Sequence, residues 1–204
     1  CMSSSQIDTL WMLLCATLVF NMQIGFLCLE AGLTRSKNAI NVATKNLADF
    51  CIVLLAYWLF GFALMFGSSA DGLWGTDLFM IENSAENSGL MAFFLFQAMF
   101  CSTAATIVSG AAAERMRFHA YLLVAALSAS LIYPLFGHWA WGGVVREGAG
   151  WLAAKGFVDF AGSTVVHGLG GWIALATIMV LGPRAGRFEA TGLRRGMTGS
   201  NLPM

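Results

Sequence analysis

One histidine lies within an apolar stretch near the end of the chain. His167 follows the segment DFAGSTVV. On a helix, five small residues at spacings of three, four and seven share its face: Ser163, Thr164, Gly170, Gly171 and Ala174. A neutral imidazole offers one donor and one acceptor nitrogen, which suits it to pass a small polar molecule or a proton along a narrow path. The alternative is a histidine that hydrogen-bonds to a neighbouring helix as part of the packing.

Two aromatic clusters precede this histidine. Phe96 and Phe100 are one helical turn apart in the segment FQAMF, and such a pair can close a pore by excluding water. The alternative is that they fill the core or face lipid. Trp139 and Trp141 lie in YPLFGHWAWGG, where a tryptophan face can hold a small cation. Anchoring at the membrane interface is the alternative for both tryptophans.

Four further ionisable residues lie within apolar stretches or at their ends: Glu30, Asp49, His138 and Asp159. Such residues are functional candidates in a membrane protein. For Glu30 we expect a structural role, as a cap or as a partner of Arg35 or Lys37. For Asp49 we expect an ion pair with Lys45, four residues earlier on the same helix.

Enzymatic and nucleic-acid-binding functions are disfavoured. The histidines, at 119, 138 and 167, lie in different segments without metal-ligand spacing, and no nucleophile or phosphate-binding motif is present. We therefore predict no catalytic residues, no metal and no cofactor. Eleven basic and eleven acidic residues cancel, which gives no reason to expect nucleic acid as a partner. The five cysteines have no CxxC spacing and indicate small core residues.

The composition indicates an integral membrane protein. The 204 residues are 58% hydrophobic and 11% charged, against about 25% charged in a typical soluble domain. Five stretches reach or approach the roughly 20 apolar residues that span a bilayer. They cover residues 8–33, 40–67, 89–112, 118–141 and 160–182. The predicted fold is all-α, with five transmembrane helices in one membrane domain over residues 1–204.

The basic residues predict the orientation of these spans. Nine of the eleven lie in the first and third connections and in the segment after the fifth span. The second connection carries four acidic residues and no basic residue: Asp71, Asp77, Glu82 and Glu86. Because lysine and arginine in short loops stay cytoplasmic, the N-terminus is predicted outside and the C-terminus of this chain inside.

Five spans suit one copy of an inverted repeat, whose second copy begins on the opposite face of the membrane. No second copy is present in these residues. We therefore expect this chain to be the first half of a longer transporter.

The residues above carry a resemblance to a known family. The matching segments, in order, are GFLCLEAGLTRSKN, FQAMF, AAAERMRF, GHWAWGG, DFAGSTVVHGLGG and the final NLPM. Over essentially the whole chain, the sequence resembles the N-terminal half of an ammonium transporter of the Amt/Mep/Rh family. The resemblance implies a trimer of eleven-helix subunits, each with a pore between two inverted five-helix repeats.

The resemblance also implies site residues. Trp141 and Phe100 match an external recruitment site for ammonium, to which the backbone carbonyl of Ala161 contributes and which Asp159 organises. Phe96 and Phe100 match a stacked phenylalanine gate, and His167 matches the first of two pore histidines. The second histidine and the recruitment-site serine belong to the other half of the family's fold.

The expected function is selective transport of ammonium, with recruitment at Trp141, loss of a proton below the gate and passage of ammonia beside His167. An ammonium sensor joined to a cytoplasmic signalling module is the alternative. A gas channel of the Rh type is a third possibility, which Trp141 disfavours. The expected partners are ammonium or ammonia, the lipid bilayer, a homotrimer and a PII-type regulator at the cytoplasmic face of the cell (inner) membrane.

The orientation can be tested with reporter fusions. Fusions after Leu78 and after Ala190 are expected to report opposite sides of the membrane, because the connections there differ in basic residues. Alkaline phosphatase is expected to be active only after Leu78, and a fluorescent protein only after Ala190. The same sidedness for both fusions would contradict the orientation.

Overall fold

Five long helices make up most of the described part of the chain. The computed structural model describes residues 4–82, 84, 87–188 and 190–201. The helices are α1 Ser4–Leu33, α2 Ser36–Phe66, α3 Ser88–Ala112, α4 Phe118–Trp141 and α6 Ser163–Leu181, and α5 is the short helix Trp151–Ala154. All five long helices are apolar and long enough to cross a bilayer, which confirms the predicted spans. Cys1, Glu86 and the last three residues of NLPM lie outside the described residues.

The connections on one side of the helices carry a small hairpin. Strands β1 Ser69–Ala70 and β2 Trp74–Gly75 pair antiparallel between α2 and α3. The indole N–H of Trp139 donates to the carbonyl of Leu73 at 2.9 Å. The N–H of Trp151, at the start of α5, donates to the carbonyl of Gly72 at 3.0 Å. The α2–α3 and α4–α6 connections therefore lie on the same side, which we call the hairpin side.

Helix α3 occupies the centre of the bundle. Its small-residue stripe, Ala98, Ser102 and Thr106, is at most 2% exposed. Short side chains let neighbouring helix backbones come close, which is how helices pack where lipid supplies no hydrophobic driving force. The contact with α6 is of this kind, since a Cβ built on Gly170 would lie 2.9 Å from the carbonyl oxygen of Ala104.

Helices α2 and α4 each contain one wide, π-helical turn. These turns cover Tyr57–Gly61 and Ser128–Ile132, and they lie against each other. Pro134 follows the second turn and lacks the N–H that an α-helix would use there. At the contact, a Cβ built on Gly61 would clash with the carbonyl oxygen of Ala129. Only glycine fits this close approach.

The opposite side, which we call the basic side, is held together by Glu114. This residue lies between α3 and α4, and its carboxylate accepts from Arg35 Nε at 2.9 Å and Asn38 Nδ2 at 2.7 Å. Arg184, after α6, lies 3.6 Å away. Burial alone would raise the pKa of Glu114, but these donors and the Arg35 charge lower it below its usual value. Three separate connections thus meet at one carboxylate.

The sequence suggested Arg35 or Lys37 as a partner of Glu30, but Glu30 pairs with neither of them. It lies buried between three helices, where its carboxylate accepts from Ser109 Oγ at 2.7 Å and Asn46 Nδ2 at 3.0 Å. Arg35 is drawn to Glu114 instead. The expected structural role of Glu30 agrees with these bonds, but the partners come from α2 and α3, which the local sequence could not indicate.

The predicted ion pair between Asp49 and Lys45 is also wrong. Asp49 is fully buried and accepts from Tyr121 Oη at 2.5 Å and Thr106 Oγ1 at 3.3 Å. Lys45 Nζ donates to the carbonyl of Met116 at 2.8 Å. Both side chains reach away from their own helix towards neighbouring elements, which supply partners that an isolated helix lacks.

The glycine contact between the two wide turns can be tested by substitution. Gly61→Ala is expected to lower the free energy of unfolding by about 1–3 kcal/mol, because overpacking forces the backbones apart. Gly25→Ala in α1 is the matched control, since a Cβ there meets nothing within 4 Å. Thermal unfolding in detergent measures both variants. Equal midpoints for the two would contradict the tight contact.

Candidate functional site

An aromatic pocket of about 530 Å³ opens on the hairpin side of the bundle. Its residues come from the end of α2, the first half of α3, the end of α4 and the connection from α4 to α6. They are Phe66, Phe93, Phe96, Gln97, Phe100, Trp141, Val144, Val158, Asp159, Phe160 and Ala161. All four residues predicted for recruitment and both residues predicted for the gate line this one pocket. His167 is not among its lining residues.

Trp141 is held by a hydrogen bond at the end of α4. Its indole Nε1–H donates to the backbone carbonyl of Asp159 at 2.6 Å. This bond uses the one hydrogen-bond donor of the side chain. What the indole can offer to a ligand is therefore its ring, whose face carries the negative end of the aromatic quadrupole.

The carboxylate of Asp159 organises the start of α6. Its Oδ1 accepts from the N–H of Gly162 at 2.8 Å and of Ser163 at 3.1 Å. Its Oδ2 accepts from the N–H of Thr164 at 2.9 Å and of Val165 at 2.8 Å. Burial alone would raise the pKa of Asp159, but the four N–H donors outweigh it and hold the pKa below its usual value.

The backbone turns sharply between Asp159 and α6. Gly162 has a φ of +87°, a conformation that side chains with a Cβ rarely adopt. A Cβ at this position would also press on Val166 and approach the Trp141 ring. The first turn of α6, Ser163–Gly168, is π-helical. The segment AGST is therefore a tight turn that joins the pocket to α6.

The rings of Phe96 and Phe100, the pair predicted as a gate, meet edge to face. The ring centroids of Phe96 and Phe100 are 4.9 Å apart and their planes make an angle of 86°. This geometry corrects the stacked arrangement that the family resemblance implied. An edge-to-face pair places the positive edge of one ring against the negative face of the other, which is the favoured aromatic contact at this distance.

Gln97 is a pocket residue that the sequence analysis did not single out. It is 8% exposed, and its Oε1 has no hydrogen-bond partner among the described residues. A buried carbonyl oxygen without a partner is unusual in a folded protein and can accept from a ligand. Its position within FQAMF, between Phe96 and Phe100, was the available signal.

His167 lies on the exposed face of α6. Its Nδ1 is 3.4 Å from the carbonyl oxygen of Gly162, and the residue is exposed at the surface of this chain. Ser163, Thr164 and Gly171 share this exposed face, as expected. Gly170 and Ala174 do not, because both are buried in the bundle. The small residues near His167 are thus divided between the exposed face of α6 and its contact with the bundle.

His138 is a structural residue. It is fully buried, with Nδ1 2.9 Å from the carbonyl of Met65 and Nε2 2.8 Å from Ser69 Oγ. A carbonyl can only accept, so Nδ1 carries the proton and Nε2 accepts from the serine hydroxyl. Both nitrogens are therefore used to join α4 to α2 and the hairpin.

The fold and the pocket define a class of protein. Five spanning helices with an aromatic pocket at one end, and a histidine on an open helix face, are typical of a polytopic membrane transport protein. Residues 10–204 match the family described as Ammonium Transporter Family. The chain belongs to the ammonium transporter family, as the sequence resemblance indicated.

Relatives support this assignment. The chain is 44% identical to ammonium transporter Amt2 of Archaeoglobus fulgidus over 206 residues, which cover 96% of this chain and 43% of that protein. It is 60% identical to sll0537 of Synechocystis sp., whose name assigns it provisionally as an ammonium transporter, over 98% of this chain and 38% of that protein. A solved structure named Sensor Amt Protein superposes with a TM-score of 0.93 at 44% identity, over 98% of this chain and 50% of that one.

The chain spans about two-fifths to one half of the length of these relatives. Its family is one of transporters and not of enzymes, which agrees with the expectation from the sequence.

The capping role of Asp159 predicts an acid-sensitive contribution to stability. Asp159→Asn removes one of the two acceptor oxygens, and we expect the free energy of unfolding to fall by about 0.5–2 kcal/mol at neutral pH. Because its pKa is below the usual 3.8 in the folded state, the wild-type advantage is present above that pH. It is lost as the pH falls through the lowered pKa.

Thermal unfolding followed by tryptophan fluorescence at about pH 7 and about pH 3 measures this difference. The matched control is Asp71→Asn, an exposed acid on the same side of the bundle. A wild-type advantage over Asp159→Asn that stays constant between the two pH values would contradict an ionised cap.

Proposed function

We propose that the complete protein transports ammonium selectively across the cell (inner) membrane. The observation that carries this proposal is the aromatic pocket, because one residue, Asp159, connects its tryptophan to the helix that bears His167. Membership of the ammonium transporter family supports ammonium or ammonia as the transported species.

Recruitment is proposed to take place in the pocket. The ammonium ion would lie against the rings of Trp141 and Phe100, where the aromatic quadrupole contributes about 0.5–2 kcal/mol, more as water leaves. The carbonyl of Ala161 and the unpartnered Oε1 of Gln97 would accept its hydrogens. Asp159 positions these groups and leaves no free carboxylate for the ion, since both oxygens already accept two N–H bonds each.

Conduction is proposed to proceed as ammonia. An ammonium ion in the bilayer centre is costly by several kcal/mol or more, whereas a neutral ammonia molecule is far less so. The ion would therefore give up a proton at the constriction of Phe96 and Phe100. Ammonia then passes beside His167, while the proton moves separately along imidazole nitrogens, which can both donate and accept.

The open face of α6 fits a pore with two halves. His167 faces away from the bundle, together with large apolar residues such as Trp172 and Met179, which are 70% and 76% exposed. We propose that residues 1–204 form the first of two inverted five-helix repeats and that the second repeat covers this face. In this arrangement the subunits form a homotrimer, the N-terminus is outside, and the basic side is cytoplasmic and open to a PII-type regulator.

Ammonium sensing is the second candidate function. It is favoured by the similarity to the solved Sensor Amt Protein. In a sensor, the same pocket would bind ammonium and drive a cytoplasmic signalling module without productive flux. The full-length sequence would distinguish the two functions, because a transporter is expected to carry further spans and a short tail, and a sensor a signalling domain.

Ammonium-evoked current on a solid-supported membrane tests the proposal with the full-length protein in proteoliposomes. We expect a current that saturates with ammonium. Trp141→Leu should raise the half-saturating concentration by about 2–30-fold, the range expected for the loss of one cation–π contact. His167→Ala should change flux or the selectivity over potassium. Trp139→Leu is the matched control, two residues away and outside the pocket.

Each outcome distinguishes the candidates. Current that is equal in wild type, Trp141→Leu and His167→Ala would contradict both assigned sites. Ammonium binding without current, in protein that is intact by size-exclusion chromatography, would favour the sensor. Ammonia uptake that is electroneutral and insensitive to Trp141→Leu would favour a gas channel.

A further inference from the structure

A second cavity lies on the basic side, at the opposite end of the bundle from the aromatic pocket. It has a volume of about 450 Å³ and lies between the start of α2 and the loop before α4. Four cationic side chains line it, with one carboxylate: Lys37, Lys45, Arg115, Arg117 and Glu114. The transport path proposed above uses none of these residues.

The positive charges that line this cavity outnumber its one carboxylate, although the buried Glu30 also attracts Lys45. The ion pairs among the described residues are those of Glu114 with Arg35 and Arg184, and of Asp77 with Arg146. The one carboxylate in the cavity is thus matched by two arginines outside its lining. None of the four lining cations has an ion-pair partner in the described part of the chain.

Buried donors in the cavity are only partly satisfied. Lys45 is 3% exposed, and its Nζ makes one hydrogen bond, to the carbonyl of Met116. Arg115 donates from Nη1 to the carbonyl of Gly182, while its buried Nε has no partner among the described residues. A lysine ammonium carries three donors and a guanidinium five, so several are left for an anion.

A separate apolar groove lies farther along the outside of the bundle. It has a volume of about 240 Å³ and lies between α2 and α4, with Ile52, Leu55, Leu123 and Leu127 among its lining residues. Three of these, Leu55, Leu123 and Leu127, are exposed. An apolar groove on the surface of a membrane-spanning helix pair faces hydrocarbon, not water.

The cavity and the groove lie along one seam. On α2, Lys45 is followed at helical spacing by Ala48 and Ile52, and the groove extends to Leu59. On α4, Ala120 lies between the cavity and Leu123. The cavity and the groove are thus separated by an alanine on each helix, Ala48 on α2 and Ala120 on α4. A helix rises 1.5 Å per residue, so along α2 the groove begins about 10 Å from Lys45, at Ile52, and extends to about 21 Å from it, at Leu59. One leaflet of hydrocarbon is about 15 Å deep.

We propose that this seam is a binding site for an anionic phospholipid. The headgroup phosphate occupies the basic cavity, and one acyl chain lies in the groove between α2 and α4. The basic cavity favours an anionic headgroup by charge complementarity, since basic pockets between membrane helices in general bind anionic lipids. The groove decides between a lipid and a free phosphate ion, since inorganic phosphate could fill only the cavity.

Native mass spectrometry of the full-length protein in detergent tests this site. Phosphatidylglycerol and phosphatidylcholine of equal chain length are titrated separately, and inorganic phosphate is the third probe. We expect phosphatidylglycerol to bind with the higher affinity. The double variant Lys37→Gln and Arg117→Gln should weaken it about thirtyfold, from two lost cations near the headgroup. Arg194→Gln with Arg195→Gln is the matched control, with the same charge change on the same side.

Two more variants separate the two parts of the site. The charge-preserving pair Lys37→Arg and Arg117→Lys should retain binding, which guards against a general loss of structure. Ala126→Phe should fill the groove and weaken phosphatidylglycerol binding. Equal binding by the Gln pair and the wild type, or equal affinity for the two lipids, would overturn the headgroup site. Displacement of the lipid by millimolar inorganic phosphate, or no effect of Ala126→Phe, would overturn the lipid in favour of a free anion.

Discussion

The start of α6 depends on one carboxylate, and the aromatic pocket depends on the start of α6. The first N–H groups of a helix have no partner within it, and near a membrane each unsatisfied group is costly. Asp159 accepts from four consecutive N–H groups, and its own carbonyl accepts from Trp141. One residue therefore sets where the helix of His167 begins and how the indole is oriented. Asp159 therefore acts by positioning these elements, because both of its carboxylate oxygens are hydrogen-bonded to backbone N–H groups.

Close backbone contacts make the rest of the frame rigid. Helix α3 carries small residues on the faces that meet α1, α2 and α6, and the wide turns of α2 and α4 press together at Gly61. Such contacts are the main attraction available to helices in lipid. The frame places the ends of α2, α3 and α4 around one pocket, so that aromatic side chains from distant parts of the chain form a single surface.

Polar residues inside the spans divide into two kinds. Glu30, Asp49 and His138 are buried and hydrogen-bonded across helices, which accounts for them without any role in transport. His167 lies on an open face, and Gln97 has an oxygen without a protein partner among the described residues. A polar group in a membrane helix that the fold does not satisfy needs a partner from elsewhere. This difference separates the packing residues from the candidates for transport.

The sequence by itself determined the membrane class, the number of spans and the family. These depend on hydropathy over some twenty residues and on local motifs, which are properties of the chain alone. It also named Trp141, Phe100, Ala161 and Asp159 as one site, through family resemblance. Only the tertiary structure decided the partners of Glu30, Asp49 and Lys45, the edge-to-face contact of Phe96 with Phe100, and the place of Gln97. A buried polar side chain takes the best donor or acceptor within reach in space, and in a helical bundle that partner belongs to another helix.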